Sequence, residues 1–600
     1  MTSVIINGKV QSGNIINITY LPNCSVTLCY ADLFDTKILS QTVTDQYGNF
    51  IFTNNNNMYH NIDGIFYIIA ELCTNVKLLC IIGNNLSVNN IVVNEITTIA
   101  GLYCFNNFYN NGLISGNSKS LNTASLMYFN FVNYNGTLSD VIKLSPNGYE
   151  TNSMQLLNSL GNLISICISN YEIYKTVVTY TTIATNVPSN IFDILISIIR
   201  NPSNNVKLIF VASLINKIYN PYLPFDVVPD AFTLAIKVNN SGDINNLIGG
   251  MGNIVFDDNG NAWITNNVIQ GTPNSSNFTV VLLPNGKPAP FSPLFGGGAN
   301  GAGFGIVKYF NNIIIGNYGW GNSIPAGGLT IYSKDGHPLT GNNGFQDSLY
   351  RVQGISVDIN NNIWVASYGN SSVVVYIKGN LDNKKILTLP NEAYPFDIKN
   401  DKNGNAIVSL KGSSAVLKLY LDSNNDIKVS FNVSIGSTLL GIALDSNCNI
   451  FVASADDSSI YKLSNDGTVL QVISGNGIYQ PWSCTIDGND NLWVANFGAN
   501  LDTNLYGVPH FTNNGIMISP STGYTLPTGG SQVLLNDGTP LYGVGSSPSY
   551  NPLMRQTVVK IDCAGNVWVA NNWKPSTPEV TDNPSGDGIV IFVGIGVPVI

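Results

Sequence analysis

Residues 1–85 alternate between apolar and polar positions with a period of two, and the alternation is interrupted at SGN, YGN and NID. That is the pattern of short strands joined by tight turns, with one side chain facing a core and the next facing water. In TVTDQYGNFIF (42–52) a strand runs into an Asp-initiated turn containing Gly48 and out into a second strand. The most apolar stretch, FYIIAELCTNVKLLCIIG (66–83), is broken by Glu71 and Lys77 and reads as a hairpin. A small antiparallel β-sandwich over residues 1–87 is expected. Between 90 and 225 the period lengthens. Stretches 92–108, 121–134, 152–170, 188–202 and 205–219 read as helices, with Pro188 and Ser189 opening the fourth and Asn201-Pro202 closing it. Their apolar residues lie on more than one face, which predicts packing on one another or on flanking domains. A helical domain is expected over 88–225.

From 226 to 600 one phrase recurs. VFDDNGNAWITN (255–266) returns as VDINNNIWVAS, LDSNCNIFVAS, IDGNDNLWVAN and IDCAGNVWVAN. The Asp ahead of each turn falls at Asp257, Asp358, Asp401, Asp445, Asp487 and Asp562, and the steps from Asp358 to Asp487 are 43, 44 and 42 residues. A four-stranded sheet with its turns has this length. Asp and Asn side chains suit the backbone N–H groups of such a turn. The large residue that follows (Trp263, Trp364, Phe451, Trp493, Trp568) fills the space between adjacent sheets. One such sheet cannot bury both of its faces, but sheets set radially cover each other. A copy lacking its Asp, VKYFNNIIIGNYG (307–319), brings the units to seven, with six as the alternative. The strand AFTLAIKV (231–238) precedes the first unit and is expected to pair beside GIVIFVG (588–594), sealing the ring against free edges. The fold class is therefore mainly β and multidomain: sandwich, helical domain, and a β-propeller over 226–600.

The recurring words G-I-A-x-D-x-x-x-N-x-[WF]-V-A-[NS] resemble NHL-type repeats and the related streptogramin-lyase-like propeller repeats. The N-terminal run NGKV…SVTLCYADL…QTVTDQYGNFIF…FYIIAEL resembles the carboxypeptidase-regulatory-like domain, a transthyretin-like sandwich. Its T-D-x-x-G-N-F turn is the specific element, and the resemblance implies an interaction or spacer module. The order of the parts is similar to a group of bacterial NHL-repeat proteins of undefined role. The lyase resemblance raises a metal-dependent opening of a cyclic ester with His and Glu. The propeller segment holds His337, His510, Glu392 and Glu579. His337 sits in an outer turn, KDGHPLTG, and His510 in the long insertion of the sixth unit. Nothing in the sequence brings them within proton-transfer reach of one another. No catalytic residue is carried over, and the chain is expected not to be an enzyme, with no cofactor and no metal.

Composition sharpens this picture. Charged residues make up only 10%, against roughly 25% in average soluble domains, so the polar surface is built from Asn, Ser, Thr and Gly. Lys+Arg is 26 and Asp+Glu 36, a net charge of −10. No basic patch suited to phosphate backbones is visible, which argues against nucleic-acid partners. No window of about 18 uncharged apolar residues occurs, so no membrane span is expected. The first residues, MTSVIINGKV, carry no signal-peptide pattern. The nine Cys show no zinc spacing. They read as buried thiols, with Cys24–Cys29 or Cys73–Cys80 bridges open.

The D-x-N-G-N words lack the later acidic ligand of a calcium loop. FGGGANGAGFG (295–305) is not followed by Lys-Ser/Thr, so it does not read as a phosphate loop. Loops NYGWGN (317–322) and NFGANLDTNLYG (496–507) set aromatics beside Asn and Gly. Tyr318, Trp320, Tyr368, Phe497 and Trp573 are the candidates for a ligand or partner face. The leading expectation is a non-enzymatic structural or interaction protein, a component of a virion surface, particle or fibre, made in the cytoplasm and bound to protein partners or to itself. A carbohydrate- or peptide-binding module is the first alternative, and a metal-dependent lyase or hydrolase the second.

Overall fold

The computed structural model describes residues 4–14, 16–33, 35–54, 63–86, 88–144, 146–246, 248–267, 276–319, 327–498, 507–526, 553, 555–572 and 588–599. In the first segment two sheets share one apolar core. One holds Thr19–Tyr20, Val4–Ser12 and Asn49–Asn54, and the other runs Thr36–Val43, Ser25–Ala31, Ile65–Cys73, Val76–Gly83. Val10, Val26, Leu28, Phe50, Phe66 and Ile68 fill the space between them. Residues 66–83 form the expected hairpin. Ile91–Val93 adds a parallel strand beside Val4–Ser12, so the first sheet is completed beyond residue 87, where the helical segment was expected to begin. All nine cysteines are free thiols, which excludes the bridges left open by the sequence.

The helices are Glu95–Phe105, Ser118–Tyr128, Ser153–Ser169, Tyr171–Thr181, Ile191–Arg200 and Val206–Ser213, with single turns at Asp140–Lys143 and Asn147–Glu150. Asparagine caps four of them. Asn94 accepts from Thr97 N, Asn117 from Ser120 N, Asn170 from Glu172 N and Ile173 N, and Asn190 from Asp193 N. Each bond satisfies a donor that the helix leaves open. Tyr171–Thr181 was not expected, because its run of Thr and Val favours strands. The Asn170 cap and the burial of Tyr174 and Val177 override that preference.

The helices pack between the N-terminal sheets and the ring, in one core that joins Leu79 and Ile81 to Leu157 and Leu195 and on to Ile236, Ile254 and Trp568. Tyr103 OH donates to Phe232 O at 2.8 Å, Asn107 Nδ2 to Gly596 O at 2.9 Å, and Lys119 Nζ to Asp257 O at 2.8 Å.

Residues 235–592 form a β-propeller of successive antiparallel sheets. The first sheet starts with inner strand Ile254–Phe256, the second with Ala302–Tyr309 and the third with Val352–Val357. The fourth starts with Pro395–Asn400, the fifth with Leu439–Leu444, the sixth with Pro481–Ile486 and the seventh with Gln556–Ile561. Each inner strand lies beside the next, and Gln556–Ile561 returns to Ile254–Phe256. The sealing strand is Ala235–Val238, paired antiparallel with Ile589–Phe592.

Side chains stitch neighbouring inner strands around the axis. Thr557 Oγ1 donates to Met251 O (2.6 Å), Asn253 Nδ2 to Phe304 O (2.9 Å), Phe304 N to Gln353 Oε1 (2.9 Å), Ile442 N to Asp397 Oδ2 (2.9 Å) and Ser483 Oγ to Thr557 O (2.8 Å). The remaining junctions are made by glycine. A Cβ on Gly354 would lie 2.8 Å from Asp397 Cα, and one on Gly441 2.5 Å from Ser483 Cβ. The Gly-rich run 295–305 has the same use at its end. A Cβ on Gly303 would meet Val352 O at 2.4 Å, and one on Gly305 would meet Gln353 O at 2.2 Å.

Candidate functional site: the hub of the ring

The repeated Asp is the local anchor. Asp358 Oδ1 accepts from Asn360 N and Asn362 N, and its Oδ2 from Asn362 Nδ2 and from the indole N–H of Trp364 at 2.9 Å. Asp257, Asp487 and Asp562 repeat the pattern with Trp263, Trp493 and Trp568. Where the tryptophan is missing, other donors take its place. Lys418, opposite Ile407 on the neighbouring strand, pairs with Asp401 at 2.9 Å. Asn513 Nδ2 reaches Asp445 Oδ2 at 3.1 Å, while Lys462, opposite Phe451, lies over that ring. Burial raises the Asp401 carboxyl, but the Asn405 and Lys418 bonds outweigh it and leave the group below its ordinary value. Asp562, with no cation paired to it among the described residues, is held above its ordinary value by burial.

His510 occupies this same opposite position in the sixth sheet, across from Trp493. It stacks on that indole at 3.8 Å between centroids. Burial lowers its pKa to about 3, so it is neutral and makes no ion pair with Asp487, 3.9 Å away. His337 is exposed in an outer turn of the second sheet, with Nδ1 3.3 Å from Asp335 O. The two histidines do not meet. Glu579 lies outside the described residues. Among the described residues no group of three or more His, Cys, Asp or Glu is placed to hold a metal ion.

What does converge is aromatic. Phe304 of the second sheet meets Phe396 of the fourth at 5.3 Å, and Phe396 meets Trp482 of the sixth at 5.5 Å. These sheets are not neighbours in the ring, so the contacts cross its axis. Leu440 completes the plug. Around it, Tyr318 packs on Tyr368, Tyr368 stacks on Tyr394 at 4.7 Å, and Trp482 lies 4.6 Å from Phe497. The guanidinium of Arg351 lies over Tyr318 and Tyr350, and that of Arg555 over Phe497. Tyr318, Tyr368, Tyr394, Trp482 and Phe497 are all half-buried. Two buried donors here, Trp482 Nε1 and Arg351 Nε, have no acceptor among the described residues. Burial raises the Tyr318 phenol, opposed by Arg351, and takes Tyr368 up to about 12.

Three of the five expected face residues, Tyr318, Tyr368 and Phe497, thus share one mouth of the ring. Trp320 and Trp573 lie outside the described residues. Sequence reasoning missed Phe396, Leu440, Trp482 and Arg351. The first three share a register, five residues before Asp401, Asp445 and Asp487, and aligning the units on those anchors would have found them. A separate cavity of about 600 Å³ lies among the helices near Tyr109, Val187, Asp193 and Arg200. Its charged groups are already engaged, Asp193 by Ser189 and Asn190, and Arg200 by Asn106.

No protein-family model matches the chain, and no curated protein matches it. Among solved structures, it is similar to a streptogramin B lyase at 13% identity, covering 60% of this chain and 96% of that one, with a TM-score of 0.39. It is similar to a virginiamycin B lyase from Staphylococcus aureus with quinupristin at 15% identity, covering 60% and 98%, TM-score 0.41. A putative 6-phosphogluconolactonase from Bacteroides fragilis follows at 13% identity, covering 44% and 82%, TM-score 0.35.

Proposed function

We infer that this chain is a non-enzymatic interaction protein whose propeller offers the aromatic mouth of its hub to a protein partner. The observation that carries the reading is the gathering of Tyr318, Tyr368, Tyr394, Trp482 and Phe497 under Arg351 and Arg555, with two buried donors that find no acceptor among the described residues. Tyr, Trp and Arg are the residues that dominate binding energy at protein interfaces, because each joins a large apolar area to a polar tip. The finer reading is a seven-bladed propeller of the NHL or streptogramin-lyase-like type. It is preceded by a carboxypeptidase-regulatory-like sandwich and a helical domain over 88–225. The low charge of the whole chain supports a place in an assembled particle, fibre or virion surface, where surfaces face neighbours more than solvent.

The test is a photo-reactive amino acid at position 394, introduced in the cell that makes the protein. Irradiation is expected to join the chain to one polypeptide of defined mass, and Arg351→Ala is expected to abolish the adduct. A chain that stays uncrosslinked and elutes at its monomer mass would overturn the reading. Saturable binding to a glycan array, lost in Trp482→Ala, would transfer the site to carbohydrate.

A further inference from the structure

Between the fifth and sixth sheets a lysine, an asparagine amide and a carboxylate are held in one row. Lys462 stands on the third strand of the fifth sheet, Ser459–Leu463, and is 7% exposed. Its Nζ donates to two oxygens of one residue of the sixth sheet, the backbone O of Asn513 at 3.0 Å and the side-chain Oδ1. The amide carbon, Cγ, lies one C=O bond of about 1.2 Å beyond that Oδ1. The other end of the amide faces acceptors. Asn513 Nδ2 donates to Asp445 Oδ2 and to Asp490 O, each at 3.1 Å. With a lysine on its oxygen and two acceptors on its nitrogen, the amide has one orientation that satisfies all three partners.

The neighbouring unit provides the contrast. Lys418 holds the equivalent place on the fourth sheet and likewise reaches O, at 3.1 Å, and Oδ1 of Asn465, the second residue of the corresponding outer turn of the fifth sheet. There the anchor Asp401 pairs with the lysine itself, at 2.9 Å. In the fifth unit the anchor Asp445 takes the amide nitrogen instead, and among the described residues no carboxylate is within ion-pair reach of Lys462 Nζ. The Phe451 ring faces that nitrogen, 5.2 Å away. A buried ammonium without a counter-ion is costly, and turning it into a neutral amide removes the cost.

We propose that Lys462 and Asn513 join in an intramolecular isopeptide bond. The uncharged amine of Lys462 attacks Cγ, held against it by the two oxygens of Asn513. The Nζ–Cγ bond forms, the Cγ–Nδ2 bond breaks, and Nδ2 leaves as ammonia with the proton that Nζ gives up. Asp445 Oδ2, beside Nδ2, passes that proton. No oxidant, reductant or co-reactant is consumed. The product bolts the fifth sheet to the outer turn 512–516 of the sixth. That sheet has three strands among the described residues, and its third is only the two residues His510–Phe511, so a covalent tie replaces pairing that the strand does not supply.

The experiment uses the full chain, folded and purified, then cleaved before its aspartates and read by tandem mass spectrometry. Cuts before Asp466 and Asp487 separate Lys462 from Asn513, so the two residues share a fragment only if they are bonded. In the wild type the fragment holding Lys462 is expected to be joined to the one holding Asn513, lighter than their sum by one ammonia. Lys418, paired with Asp401, is expected to be recovered unlinked. Lys462→Arg keeps donors for both oxygens but cannot form the bond, and the joined fragment is expected to vanish. Asp445→Asn keeps an acceptor for Asn513 Nδ2 but carries no proton, and the joined fragment is expected to accumulate about a hundredfold more slowly after synthesis. A folded wild type from which Lys462 and Asn513 are recovered only in separate fragments overturns the proposal, and that result requires no variant to fold. A bond at Lys418 and none at Lys462 overturns it as well.

Discussion

The Trp364 indole and the Asp358 carboxylate meet because the turn between them folds the strand back in a fixed register. Asp45, in the N-terminal segment, makes the same turn, accepting from Tyr47 N and Asn49 N, without any tryptophan. The Asp turn by itself is therefore a general device, and the tryptophan six residues on is what belongs to the ring. Trp364→Phe keeps the apolar ring but leaves one lobe of a buried carboxylate a donor short. The expected cost is about 1.5–3 kcal/mol, read from urea denaturation. Lys418→Met is expected to cost more, about 3–5 kcal/mol, since Asp401 loses the cation paired with it, and Lys418→Met with Asp401→Asn should recover most of it. The pH dependence has a definite sign. The folded Asp401 carboxyl sits below its ordinary value of 3.8, so its contribution is present above that pH and is lost as pH falls through the folded value. Denaturant midpoints of the wild type and Lys418→Met should therefore converge in acid.

Glycine positions the inner strands, and the cost of filling that space is a prediction about elements. A Cβ on Gly305 would lie 2.2 Å from a backbone oxygen of the third sheet, whereas one on Gly341 would meet nothing within 4 Å. Gly305→Ala is expected to destabilise by about 1–3 kcal/mol through overpacking and Gly341→Ala to leave stability within about 0.5 kcal/mol, both checked by thermal denaturation. These glycines show where the sequence was readable. The Asp-to-Asp spacing and the strand 231–238 announced the repeated sheets and their seal, because period and turn chemistry are local. The meaning of Gly354 and Gly441 was not local, since each faces a strand about 40 residues further along the chain. The plug was hidden for the same reason, as Phe304, Phe396 and Trp482 meet only across a closed ring. The far edge of the sealing strand was hidden too. Ala235 and Lys237 turn their backbone groups toward Ser153 and Asn147, with Lys237 N donating to Asn147 Oδ1 at 2.7 Å and Asn147 Nδ2 donating to Lys237 O at 3.0 Å. Side chains from the helical segment thus cover a strand edge that would otherwise stand open.

At the scale of the molecule, Glu95 joins the three parts. It opens the helix Glu95–Phe105 and is fully buried. Ser12 Oγ and Gly13 N, at the end of the strand Val4–Ser12, donate to it, and so does Tyr219 OH, at 2.6 Å, from the segment that leads into the ring. No cation is among these partners. Burial therefore raises the Glu95 carboxyl above its ordinary value of 4.5, against the lowering pull of the Ser12 and Tyr219 bonds. A carboxyl raised in the folded state holds more protons folded than unfolded between the two pKa values. Its contribution is complete below the unfolded value and is lost as pH rises through the folded one. Glu95→Gln keeps an acceptor for Ser12 and Gly13 and cannot ionise. The wild type is thus expected to lose stability relative to Glu95→Gln as pH climbs from about 4.5, and the difference should level off once Glu95 is ionised in both states. Calorimetric Tm values of the two chains across that range check it. Because Glu95 ties the N-terminal sheets to the segment that leads into the ring, limited proteolysis between residues 12 and 18 should accelerate in the wild type over the same pH interval and stay flat in Glu95→Gln. A Tm difference that is constant with pH would mean that the carboxyl is ionised throughout and that its three donors suffice to hold the charge.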